Sequence, residues 1–203
     1  MNASVAGAAP AQARIGPNAI TQVALALQQQ VGRVRTRQIF VRADLVDRLD
    51  APPQHMVEER EVIVLHHALR QALGPALALR IADEAGRATA RYLLAHRIPR
   101  PIQWLLRILP ARPAARLLLS AITRHAWTFA GSGHFSVDLG PPIVLSLGNN
   151  PMCRGARADT PSCAYYSATF EHLFRTLVHP QACVAETACE ASGADACRFE
   201  IRW

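Results

Sequence analysis

The chain has 203 residues, half of them hydrophobic, 18% charged and only 6% aromatic, with a formal net charge of +7. That length and composition exclude a mostly disordered chain or an array of large domains, and fit one domain with a core of small and aliphatic side chains. All 22 basic residues are arginine, a bias uniform enough to reflect genome composition rather than selection at each site. No unbroken apolar run reaches the ~18–20 residues needed to cross a bilayer. Residues 1–14 are Ala-rich, with no basic residue before Arg14, and so lack the positive start of a secretory signal. We expect them to form a short flexible tail on a cytoplasmic protein, followed by a single domain over 15–203.

Pro17 opens a helical pattern through Val23, Leu27 and Val31, and Gly32 stops it. Ile39–Leu49 is short and mixed, and Pro52-Pro53 ends it. From Met56 to Leu73, Val62, Leu65, Leu69, Ala72 and Leu73 keep helical spacing up to Gly74-Pro75. A further helix runs from about Ala76 to His96 and stops before Pro99. Pro101–Leu109 and Ala114–Trp127 read as two more. The texture then changes. Phe135, Val137 and Leu139 alternate, and Pro141-Pro142 leads into Ile143–Leu147, which predicts two strands. Ser162–Val178 returns to helix, with Tyr166, Phe170, Leu173, Phe174 and Leu177 on one face. Cys183–Glu190 and Ala196–Trp203 are the last strands; Cys197, Phe199 and Ile201 alternate with Arg198, Glu200 and Arg202. Helices first, then strands around one long helix, define an α+β fold rather than repeated βαβ units. Its sheet should be mostly antiparallel, with the amino-terminal helices packed on it.

The charge is concentrated. No Asp or Glu lies between Glu84 and Asp138, whereas Arg87, Arg91, Arg97, Arg100, Arg107, Arg112, Arg116 and Arg124 do. Basic apolar helices of this kind can lie on an anionic membrane surface, grip an acidic partner or hold a carboxylate-bearing ligand; they can also be a solvated face whose arginine stems cover core. Nucleic acid fits poorly: no polar recognition helix, zinc-finger spacing or stacking-aromatic signature is present.

The five cysteines are Cys153, Cys163, Cys183, Cys189 and Cys197. An odd number confined to the last quarter of the chain argues for metal ligation or buried thiols over a disulfide framework. Cys163, Cys189 and Cys197 with Glu186 could form a closed tetrahedral zinc site, since thiolates match that ion. Cys163 stands at a helix start, where the dipole favours a thiolate. By spacing alone, Cys183 could replace Glu186, and Cys153 could compete.

The run from Cys163 through Glu186-Thr187-Ala188-Cys189 to Cys197-Arg198-Phe199 resembles the 4-vinyl-reductase domain family. The resemblance extends from Ala13-Arg14-Ile15-Gly16-Pro17 through Asn150-Pro151-Met152-Cys153-Arg154-Gly155 and is strongest with the bacteriochlorophyll-synthesis branch. It implies a fold related to haem-type nitric-oxide-binding domains and vesicle-tether subunits. It also implies a structural zinc on Cys163, Glu186, Cys189 and Cys197, a homodimer as in related sensor domains, and Cys183 as a packed thiol. The branch was named for reducing the 8-vinyl (formerly 4-vinyl) group of divinyl chlorophyll precursors. No G-x-G-x-x-G follows a strand here, and the cysteine spacing fits no iron–sulfur pattern. The reading preferred from sequence is therefore a non-catalytic binder or carrier of an Mg-tetrapyrrole intermediate, with magnesium chelatase or a methyltransferase of the same pathway as possible partners. Trp104, Trp127, Phe129 and Phe135 are candidates for its apolar slot, His125 or His134 for the magnesium, and Arg124 for a carboxylate.

Overall fold

The structure is a computed structural model that describes residues 13–203. The expected tail lies outside the described residues except for its end, where Arg14 belongs to a strand. That strand, β1 (Arg14–Ile15), pairs antiparallel with β2 (Val57–Glu58). Helix α1 (Asn18–Arg42), the short α2 (Val46–Asp50) and α3 (Glu59–His96) complete the first half. Both predicted breaks are present. Gly32 (φ 77°) and Gly74 (φ 74°) leave helical geometry inside α1 and α3, a conformation that costs glycine little, and Pro75 has no N–H with which to continue the ladder. One 18-residue window of α3 reaches a mean hydropathy of 1.3, apolar enough to cross a membrane by length and composition. Its apolar face is instead packed between α1 and the later helix α7, so α3 is a core helix.

Three further helices follow, α4 (Arg100–Ile108), α5 (Ala111–Arg124) and α6 (Trp127–Ala130). The predicted helix over 114–127 is therefore two: α5 ends at Arg124, and the chain turns at His125 before α6.

The strands β3 (His134–Asp138), β4 (Ile143–Gly148), β5 (Cys183–Ala188) and β6 (Cys197–Arg202) form one antiparallel sheet in the order β3-β4-β6-β5, and α7 (Ala164–Leu177) lies between the two strand pairs in sequence. The expected α+β architecture is thus the observed one. Cys197, Phe199 and Ile201 point inward, as do Leu145 and Leu147 of β4. The face they form is covered by Tyr166, Phe170 and Phe174 of α7, with Phe199 within 5.8 Å of Phe170, centroid to centroid. Alternation along a half-buried strand accounts for this layer. On its other side α7 meets α3 so closely that Gly86 leaves no room for a methyl group against Tyr165 and Ala168. Thr169 Oγ1 donates to Gly86 O at 3.0 Å, and Thr89 Oγ1 and Tyr165 Oη share a buried 2.8 Å hydrogen bond.

Candidate metal centre and ligand groove

Four elements deliver one cysteine each to the same point. Cys153 lies in the loop after β4, Cys163 immediately precedes α7, Cys189 follows β5 and Cys197 opens β6. The bridging loop is shaped by Asn149, which adopts φ 54°, a left-handed value that Asn tolerates better than most residues. The backbone N–H groups of Asn149 and Asn150 donate to the Glu190 carboxylate at 2.6 and 2.7 Å, tying the loop to the β5–β6 connection. A register shift between Glu186 and Ala188 bulges β5 at Thr187. A bulge of this kind re-aims the residues beyond it, and Cys189 is fully buried there.

The four sulfurs all lie within 4.8 Å of one another. Cys153–Cys197 and Cys163–Cys197 are each 3.6 Å apart, Cys163–Cys189 3.8 Å and Cys189–Cys197 3.9 Å. Zinc–thiolate bonds of about 2.3 Å in a tetrahedron place sulfurs about 3.8 Å apart, so the cage has the size that such an ion requires. Its surroundings suit thiolates as well. Asn150 Nδ2 donates to both Cys163 Sγ and Cys197 Sγ at 3.2 Å, and Glu190 N donates to Cys197 Sγ at 3.4 Å. Donors aimed at ligand sulfurs are the outer support that metal sites use. Arg70 brings a buried positive charge towards the cage. Its Nη1 donates to Met152 O at 2.8 Å, while its Nη2 has no partner. Without a cation the thiols divide: hydrogen bonding with Cys153, Cys189 and Cys197 holds Cys163 well above the ordinary thiol value, whereas bonds from Cys153, Cys163 and Cys197 pull Cys189 below it.

Three of the four sequence-assigned ligands, Cys163, Cys189 and Cys197, therefore meet. The fourth corner holds Cys153, for which the resemblance had no place. Glu186 stands beside the cage: its Oε2 accepts a 2.7 Å hydrogen bond from Cys163 N, while its Oε1 is buried without a partner. Burial, reinforced by the nearby Cys189 charge, pushes the Glu186 carboxyl up to about 9. Cys183, expected to be packed, is exposed at the start of β5.

The candidate ligand residues do not converge. Trp104 on α4 is 64% exposed and Trp127 on α6 is 61% exposed. Arg124 and His125 are exposed at the end of α5, with His125 Nδ1 2.9 Å from Ala121 O, and His134 is exposed on the edge strand β3. Phe129 and Phe135 do touch, edge to face at 5.2 Å, but as part of the aromatic layer under α7. A different set lines an open groove of about 470 Å³: Arg112 and Arg116 of α5, Leu139, Pro141 and Pro142 of the β3–β4 turn, and Trp203. Arg202 also borders it, paired with Glu200 at 2.6 Å. Arg112 and Arg116 have no ion-pair partner among the described residues. Both lie in the acid-free window visible in the sequence; Trp203 carried no signal of its own.

The unit that holds the cage is recognisable by sequence: residues 143–203 match the 4-vinyl-reductase (V-4-R) domain, so the protein is one that carries this domain. Over nearly its whole length the chain is similar to two proteins named bacteriochlorophyll synthase 23 kDa chain. That of Cereibacter sphaeroides is 46% identical over 188 residues, 93% of this chain and 90% of the relative. That of Rhodobacter capsulatus is 39% identical over 201 residues, 97% of this chain and 92% of the relative. The chain belongs to the family of these 23 kDa chains. Its fold is shared by H-NOX proteins of known structure, at 10% identity. The one from K. algicida superposes with a TM-score of 0.61 over 93% of this chain and 96% of that one. The nitric-oxide-ligated one from S. oneidensis has a TM-score of 0.56 over 93% and 98%.

Proposed function

We propose that this chain is a non-catalytic accessory protein of bacteriochlorophyll synthesis that binds a carboxylate-bearing tetrapyrrole intermediate and holds it or passes it on. The observation that carries the reading is the near-complete similarity to two bacteriochlorophyll synthase 23 kDa chains. The groove beside α5 supports it chemically. A flat apolar ring needs apolar walls, and Leu139, Pro141, Pro142 and Trp203 supply them; a carboxylate needs cations, and Arg112 and Arg116 are unpaired there. Pockets that orient ligands combine such walls with a few charged groups, and guanidinium forks suit carboxylates.

In the same reading Cys153, Cys163, Cys189 and Cys197 hold one zinc ion. With four protein ligands the ion has no open position, so its chemistry is structural: it fastens the start of α7 to the β5–β6 hairpin and the loop after β4.

A titration of purified protein with protochlorophyllide tests the proposal. The expected result is a saturable absorbance shift at micromolar pigment with no reductant present, weakened about 10- to 100-fold in Arg112→Gln/Arg116→Gln, the loss of one or two charge-assisted hydrogen bonds. No shift at micromolar pigment overturns it. Turnover of a divinyl substrate by the isolated chain with a reduced nicotinamide or ferredoxin would put a vinyl reductase in its place.

A further inference from the structure

Helix α4 carries an apolar stripe that faces away from the protein. Pro101, Trp104, Leu105 and Ile108 follow the i, i+3, i+4, i+7 spacing of a single helix face. The core side of the helix is formed by Gln103 and Leu106, both buried. Gln103 Nε2 anchors it by donating to Leu94 O and Ile98 O, at 2.6 and 2.8 Å, at the end of α3. The stripe is consequently turned to solvent: Trp104 is 64%, Leu105 36% and Ile108 56% exposed. Ile102 beside it and Leu117 on α5 are each 43% exposed.

The charge around the stripe has one sign. Arg97, Arg100, Arg112, Arg116 and Arg124 are exposed and enter no ion pair among the described residues. No acidic residue occurs between Glu84 and Asp138 to offset them.

We propose that α4, with the adjoining start of α5, docks on an anionic lipid surface. The stripe enters the boundary between headgroups and acyl chains, Trp104 sits at headgroup level, and the arginines reach the lipid phosphates. Each part matches what an interfacial helix requires: an apolar face, a basic flank and an indole at the interface. Charge favours this occupant over a second copy of the chain, which would bring the same uncompensated arginines against their like. The inference is independent of pigment binding.

Flotation of the full chain with vesicles tests it, comparing phosphatidylcholine alone with a phosphatidylcholine–phosphatidylglycerol mixture. The protein is expected to float with the mixture and not with phosphatidylcholine alone, and to be released in 1 M salt, where the screening length contracts to about 3 Å. Trp104→Ser/Ile108→Ser should bind at least about tenfold more weakly. Both side chains are exposed, so the circular dichroism spectrum and metal content should match the parent. A charge variant, Arg97→Gln/Arg100→Gln, should lose the preference for the anionic mixture. Absence of flotation with the mixture, equal flotation with both vesicle types, or unchanged binding by the serine variant overturns the proposal. Capture by soluble polyglutamate without vesicle binding also overturns it, assigning the face to an acidic protein.

Discussion

Gly86 is where the α3–α7 packing is most vulnerable, and Gly86→Ala tests whether that packing holds the metal cage in shape. A Cβ built there falls 3.0 Å from Tyr165 C and 3.1 Å from Ala168 Cβ, and nearer still to Tyr165 O, where ordinary contact begins at 3.4 Å. Two of these are backbone atoms in the first turn of α7, so no rotamer change relieves the clash; the helices must separate by at least about 0.4 Å. Overpacking of this kind costs about 1–3 kcal/mol, and immovable neighbours place this site at the upper end. Alanine regains about 1 kcal/mol of helix propensity, leaving a net loss of about 2 kcal/mol. For a chain of this size, that is about 4–8 °C in melting temperature. The shift has a second consequence. Cys163 is the residue before α7, and metal–ligand distances tolerate only about 0.2 Å of error. Gly86→Ala should therefore release zinc to a chromogenic chelator faster than the parent does, even where both are folded. Denaturant titration and chelator kinetics provide the two readouts. A variant as stable as the parent and with unchanged release kinetics would refute the reasoning.

Metal analysis should give one zinc per chain. Cys153→Ala should lose it and destabilise the domain, whereas Glu186→Gln should retain it, because Cys153 and not Glu186 completes the sulfur cage; retention by the first and loss by the second would reverse the assignment. His66 is fully buried with an unpartnered Nε2. Burial, with Arg70 and His67 nearby, lowers it from 6.5 to about 3. The folded state thus keeps His66 neutral while the unfolded chain protonates it, so the stability it confers is complete above pH 6.5 and lost as the pH falls from 6.5 towards 3. The slope is about 1.4 kcal/mol per pH unit, or about 2 kcal/mol between pH 6.5 and 5. In urea titrations across that range His66→Leu should have a flatter pH dependence than the parent, and parallel slopes would contradict this.

Where sequence and structure agree, the signal is local. The alternation of Cys197, Phe199 and Ile201 marks β6, and Gly32 and Gly74 mark the breaks in α1 and α3, because each depends on the residue's own backbone and its immediate neighbours. The pairing of Arg14–Ile15 with Val57–Glu58 has no such signal; two residues cannot display a period, and their partners lie more than 40 positions away. The metal centre is legible in part. Cys163, Cys189 and Cys197 adjoin predicted elements, but Cys153 sits in a loop whose path is set by Asn149, Asn150 and Glu190, contacts that spacing does not reveal. The ligand-slot residues show a different limit. Helical periodicity identifies faces but does not say which one is inward when both carry large apolar side chains. On α4 the polar Gln103 is buried to tie down the end of α3, and Trp104 is left outside.

The four sulfurs are contributed by residues 153 to 197, so the cage cannot close until all six described amino-terminal helices have been synthesised. During that interval the flank of α3 that receives α7, with Gly86, Thr89 and Ala85 along it, has nothing to lie against. On the ribosome the nascent helical half is thus an adhesive intermediate that calls for chaperone shelter. Starving cells of zinc should lower the yield of soluble protein before it alters the properties of the molecules that do mature.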